Sequence, residues 1–127
     1  MAAIVLDAGA LIAVERADLG VAERLRIALT DGLVLRTPAI VLAQVWRDPR
    51  GRQARLARAI AGIDVVPVDE ALGRRAGVLL GRAGTSDAID ATVVSLAEHG
   101  DIILTSGPAD IARLVEAAGR RMRVVAC

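Results

Sequence analysis

Residues 85–111 read TSDAIDATVVSLAEHGDIILTSGPADI. The stretch falls into three parts. Residues 87–99 carry helix-forming residues and stop at His99-Gly100. IILTS (102–106) is a short apolar run with a polar end, the pattern of a buried strand. A second helix follows over 108–118, with Pro108 at a position that favours helix starts. A helix, a strand and a helix within so few residues predict an α/β chain with short connections.

The same alternation extends in both directions. AIVLD (3–7), GLVLRT (32–37), DVVPV (64–68) and MRVVA (122–126) read as further strands. Helices are expected over 8–29 with a break near Asp18–Gly20, from Pro38 with Thr37 as its cap, over 52–61, and over 70–82 with Asp69 as its cap. Asp48-Pro49 is expected to end the helix that carries Gln44. Strands of four or five apolar residues separated by helices predict about five short strands in a mostly parallel sheet, covered by helices on both faces. The length suits one domain spanning 1–127. We find no linker, low-complexity tract or internal repeat.

Composition removes several function classes. All sixteen basic residues are Arg, so mechanisms that need a lysine are excluded. One Trp with no Phe or Tyr excludes base stacking on aromatic rings as a main binding mode. A net charge of +1 points to no partner. No apolar run reaches the ~18–20 residues of a membrane span, and the first ten residues lack the features of a secretion signal. Together with a lone Cys127, these features lead to the expectation of a cytoplasmic protein away from membranes.

The carboxylates carry the chemistry. In open α/β sheets, ligands bind beyond the carboxyl ends of the strands. Asp7 ends the first strand and has no obvious helix to cap, which favours a functional role. Asp87 and Asp90 open a helix, three residues apart and therefore on one face. Both also suit the capping positions and the positive end of the helix dipole, and a carboxylate with two oxygens serves both purposes. Asp110 lies just past IILTS. Acids gathered in one cleft repel each other unless a cation offsets them. Oxygen donors without His or Cys point to Mg²⁺ or Mn²⁺ rather than zinc. The remaining acids read as turn residues or solvated helix faces. His99 reads as a favourable cation near a helix end, and Trp46 as core or interface.

RDPRGRQARLAR (47–58) contains five Arg. It reads as a solvated face or as a holder of phosphates that the carboxylates would repel. Arg47 shares a face with Gln44 and is the first candidate for a phosphate contact, with Arg50 a weaker one.

Four segments in order, IVLDAGALIA, PAIVLAQVWRDPRGRQARLARAI, TSDAIDATVVSLAEHG and IILTSGPADI, resemble the PIN-domain ribonucleases of the VapC toxin type. The resemblance covers nearly the whole chain. It implies a three-layer α/β/α fold, Mg²⁺- or Mn²⁺-dependent RNA cleavage, homodimers and a cognate antitoxin. Asp7, Asp87 and Asp90 match the family's acids. Gln44 stands where the family usually has Glu, and Gly107 where it has an Asp. Asp110 is the nearest substitute for that missing acid. The resemblance therefore implies an endoribonuclease or, given Gly107, a weakened relative that binds RNA or an antitoxin without efficient cleavage. A phosphatase is disfavoured because Gly9 occupies the position of its second Asp.

Overall fold

The computed structural model describes residues 2–47 and 50–127. Five strands form one all-parallel sheet: β1 (Ala3–Leu6), β2 (Val34–Pro38), β3 (Asp64–Val66), β4 (Ile102–Thr105) and β5 (Arg123–Ala126). Their spatial order is β3-β2-β1-β4-β5. The chain builds outward from β1 on one side, then crosses over to β4. Strand order thus reverses between β1 and β4, the position where open α/β sheets form a binding crevice.

Seven helices among the described residues cover the sheet: α1 (Ala8–Glu15), α2 (Leu19–Thr30), α3 (Ala39–Val45), α4 (Ala54–Ala61), α5 (Glu70–Ala83), α6 (Ala88–Leu96) and α7 (Pro108–Ala118). α1 packs on α2, α3 and α4, while α5, α6 and α7 pack on one another. The result is three layers, α/β/α. Burial on both faces explains the apolar strands. Ile4, Val5, Leu6, Ile103 and Leu104 are all fully or almost fully buried.

The expected elements form, with local corrections. The break in the first long helix falls at Arg16–Asp18, where Ala17 takes a positive φ of 57°. Asp18 is then no mere turn residue: its side chain accepts the Val21 amide and caps α2. Pro38 ends β2 instead of opening a helix, because its carbonyl edge still pairs with β3 opposite Val66. Thr37 caps nothing; its hydroxyl donates to the Leu6 carbonyl at 2.8 Å. The strand at 64–68 stops at Val66. α3 ends at Val45, and the expected stop at Asp48-Pro49 lies outside the described residues. α6 ends at Leu96, so His99 lies beyond it and accepts the Arg121 amide.

Asp101, expected in a turn, is buried. Its two oxygens accept the Ala3 amide at 2.9 Å and the Glu98 amide at 2.8 Å. It ties the start of β1 to the loop before β4. No helix among the described residues is long and apolar enough to cross a membrane.

Candidate metal and phosphate site

Three features fix Asp7 at the crevice. Its amide donates to the Leu104 carbonyl of β4. One carboxylate oxygen accepts the Ala10 amide at 2.9 Å, so Asp7 caps α1, contrary to the expectation that it had no helix to cap. The other oxygen accepts the buried Thr105 hydroxyl. Thr105 Oγ1 in turn accepts the Gly107 amide at 2.9 Å. Thr37 on one side of β1 and Thr105 on the other therefore clamp the end of this strand. Asp7 keeps only 7 % of its surface exposed. A carboxyl group so buried is held by its donors.

Gly9 allows the two loops to meet. A Cβ there would lie 2.0 Å from Ser106 Oγ and 3.2 Å from the Ser106 backbone nitrogen. The first turn of α1 thus rests directly on the β4–α7 loop.

Asp87 caps α6 by accepting the Asp90 amide at 2.9 Å. The capping reading of this residue is correct, and its second oxygen points to no described partner. Asp87, Asp90 and Asp110 line one small cleft of about 100 Å³ with Thr85 and Arg113. Burial, then the charges of Asp87, Asp7 and Asp110, push the Asp90 carboxyl up to about 6. Asp90 therefore feels the other three acids named from the sequence. Asp7 and Asp90 form the inner part; Asp87 and Asp110 are exposed at the rim. Among the described residues, no three His, Cys, Asp or Glu side chains stand close enough to enclose a metal by themselves.

Arg113 was missed in the sequence. It projects into the acidic cleft, three residues after Asp110 and so on the same face of α7. It is a cation lining the same cleft as the acids, and a guanidinium suits a bidentate contact with a phosphate.

Gln44 and Arg47 line a neighbouring cleft with Glu15, Arg16 and Arg52, between α1 and the α3–α4 connection. The Arg47 guanidinium folds back on the carbonyls of Ala43 and Trp46. Arg50 is exposed on that connection. Gln53 organises the region: it is buried, accepts the Arg47 amide and donates to Glu15 and the Val45 carbonyl. Glu15, read as a solvated acid, is thus half-buried and engaged. Trp46 is 37 % exposed and borders an apolar groove with Leu42, Ala57 and Ile60.

The PIN-domain family model matches residues 4–117. The chain belongs to the PIN-domain family. Among solved structures, this PIN domain is similar to a chain of VapBC2 from Rickettsia felis bound to a DNA fragment from their promoter, with a TM-score of 0.72, 12% identity and 98% of each chain covered. It is also similar to a chain of DNA-bound VapBC from Salmonella typhimurium, with a TM-score of 0.71, 16% identity and 98% of each chain covered. At these identities the likeness is one of fold. A search of the curated proteins found no match.

At position 107, where the family pattern has an acid, the fold has room for one. Gly107 has a φ of −118°, which any residue adopts, and an added Cβ would meet nothing nearer than Thr105 Oγ1 at 4.0 Å. Glycine is therefore not required there by the backbone.

Proposed function

We propose that this chain is a metal-dependent endoribonuclease, the VapC-type toxin of a toxin–antitoxin pair. The observation that carries the reading is the gathering of Asp87, Asp90 and Asp110 in one cleft beside Asp7 at the carboxyl edge of the sheet, where their charges raise the Asp90 carboxyl. The donors are hard oxygens in negative excess, the chemistry a divalent cation relieves. Mg²⁺ commonly keeps several waters and takes only one or two carboxylates. The residues present fit Mg²⁺ or Mn²⁺ held by Asp7 and Asp90, with Asp87 and Asp110 acting through water. Such an ion, when bound, activates water and offsets charge on a phosphodiester.

The remaining steps belong to the chain's own groups. Thr105 and the Ala10 amide hold Asp7 in one orientation, so the carboxylate loses little freedom on binding. Asp90 gives up its proton as a cation or a more alkaline medium draws it off. Arg113 faces the phosphate that the acids alone would repel. Gln44, Arg47 and Arg50 lie outside this cleft and serve, in this reading, the flanking RNA.

Both structural neighbours are VapBC assemblies. Their architecture supports an antitoxin partner here, and the groove at Trp46, Leu42 and Ile60 is an apolar surface open to one. We place the protein in the cytoplasm as a homodimer, as the family resemblance implies. Gly107 favours a second reading, in which the site is one carboxylate short and the chain binds more than it cuts.

The deciding experiment incubates the purified chain with a mixed pool of structured RNA in Mg²⁺, in Mn²⁺ and in EDTA. Cutting in metal and none in EDTA is the expected result. Equal cutting in EDTA would overturn the metal-dependent mechanism. No cutting by the chain, with cutting by Gly107→Asp, would establish the second reading.

A further inference from the structure

The strongest feature outside the acidic cleft is a basic pocket between α5, α6 and the end of α7. Arg74, Arg75, Arg82 and Arg120 surround a floor that includes Val78 and Ala118, in a cavity of about 280 Å³. Arg74 pairs with Glu70 at 3.0 Å on the exposed helix surface, a bridge of small value. No described carboxylate bridges Arg75, Arg82 or Arg120 in this way. Arg120 donates to the Val94 carbonyl at 3.1 Å, yet its buried Nε has no partner. A buried guanidinium nitrogen without an acceptor is costly, and here it belongs to a side chain that lines the pocket. Val78 is 56 % exposed, so this apolar floor is open to solvent.

We propose that this pocket is a second, non-catalytic RNA site that holds one phosphate-bearing nucleotide of the strand being cut. The guanidinium fork matches a phosphate bidentately, and its plane also stacks on a base. This matters in a chain whose single aromatic residue lies elsewhere. The apolar floor suits the face of a base, whereas a bare anion would gain nothing from it. Position favours a nucleic-acid strand over an acidic protein. α6 and α7 carry the acids at their starts and the pocket at their ends. Ala118 lies eight residues beyond Asp110, about 12 Å at 1.5 Å per helical residue. Stacked nucleotides rising about 3.4 Å each cover that span in three or four steps. The proposal rests on the RNA-cleavage reading for its choice of strand, but its test needs no cleavage.

The test measures fluorescence anisotropy of a labelled single-stranded RNA decamer in EDTA. It compares the chain with the Arg75→Ala/Arg82→Ala double variant and with Arg24→Ala on the exposed face of α2 as a control. Both substituted pocket side chains are exposed, and thermal melting checks that the variants fold. The double variant is expected to bind about tenfold more weakly. Its slope of log affinity against log salt should fall by about one to two. AMP should compete with the RNA better than inorganic phosphate does. Unchanged affinity and slope in the folded double variant would overturn the proposal. Equal competition by phosphate would reduce the pocket to a bare anion site and overturn its nucleotide specificity. AMP binding as tight as the decamer would assign it to a free nucleotide instead. Loss of poly-glutamate binding with RNA binding intact would assign it to an acidic protein. A chain that binds RNA through the pocket but cuts nothing leaves this inference standing and removes the nuclease reading.

Discussion

The two strand-to-helix junctions at the centre of the sheet share one architecture and differ in one group. After β1 the chain places Asp7, which caps α1 with one oxygen and receives Thr105 with the other. After β4, its neighbour in the sheet, the chain places Gly107, which caps α7 with no side chain. The junctions touch through Gly9 and Ser106. One supplies a buried charge and the other an open space of the same kind. A junction can therefore keep its fold without a carboxylate, because backbone amides and a threonine hydroxyl do the structural work.

The largest break in this comparison is Asp7→Asn. It keeps the shape but removes the charge, and should lower RNA cleavage by about 10²–10³-fold in a gel assay. Retained activity would detach Asp7 from the chemistry. Next is Gly9→Ala, which drives a Cβ into Ser106. It should destabilise the chain by about 1–3 kcal/mol in urea melts. If a double variant with Ser106→Gly recovers much of that loss, the contact between the junctions is the cause. Gly107→Asp sharpens the comparison by making the two junctions alike. It should tighten Mg²⁺ binding by about tenfold, read by calorimetry, without loss of folding. Unchanged Mg²⁺ binding would mean that position 107 does not face the ion.

The smallest effect is a pH dependence. The Asp90 carboxyl is raised in the folded chain to about 6 from an ordinary value of 3.8. Between those values the folded state binds more protons than the unfolded state, so this group's contribution to stability falls as pH rises from about 4 to about 6. The fall should be visible in metal-free melts of the chain relative to Asp90→Asn. Mg²⁺ binding should strengthen over the same range as the proton leaves. Partial exposure of Asp90 keeps both effects modest.

Much of this was legible locally. The apolar strands and their polar ends place the crevice, and the three-residue spacing of Asp87 and Asp90 puts both on one wall. Arg113 is equally legible by its three-residue spacing from Asp110, though the arginine run at 47–58 is denser. Density along the chain is not proximity in space: Arg47 and Gln44 share a face that borders a neighbouring cleft with Glu15 and Arg16. Asp101 was read as a turn acid because its partner, the Ala3 amide, is 98 residues away. The basic pocket was hidden for the same reason, since Arg74, Arg75 and Arg82 on α5 are met by Arg120 from beyond the end of α7. Pro38 shows the limit of propensity, since pairing with β3 outweighed its preference for a helix start.

That long separation also orders events in time. Asp7 and Thr105, like Ala3 and Asp101, meet across 98 residues. As the ribosome releases the chain, β1 emerges first and waits with one edge unpaired until β4 arrives. Non-local pairings of this kind form late. An interrupted chain that stops before residue 101 lacks the clamp on Asp7 and the α7 wall of the cleft. Unfinished copies thus carry Asp7, Asp87 and Asp90 without the assembled cleft.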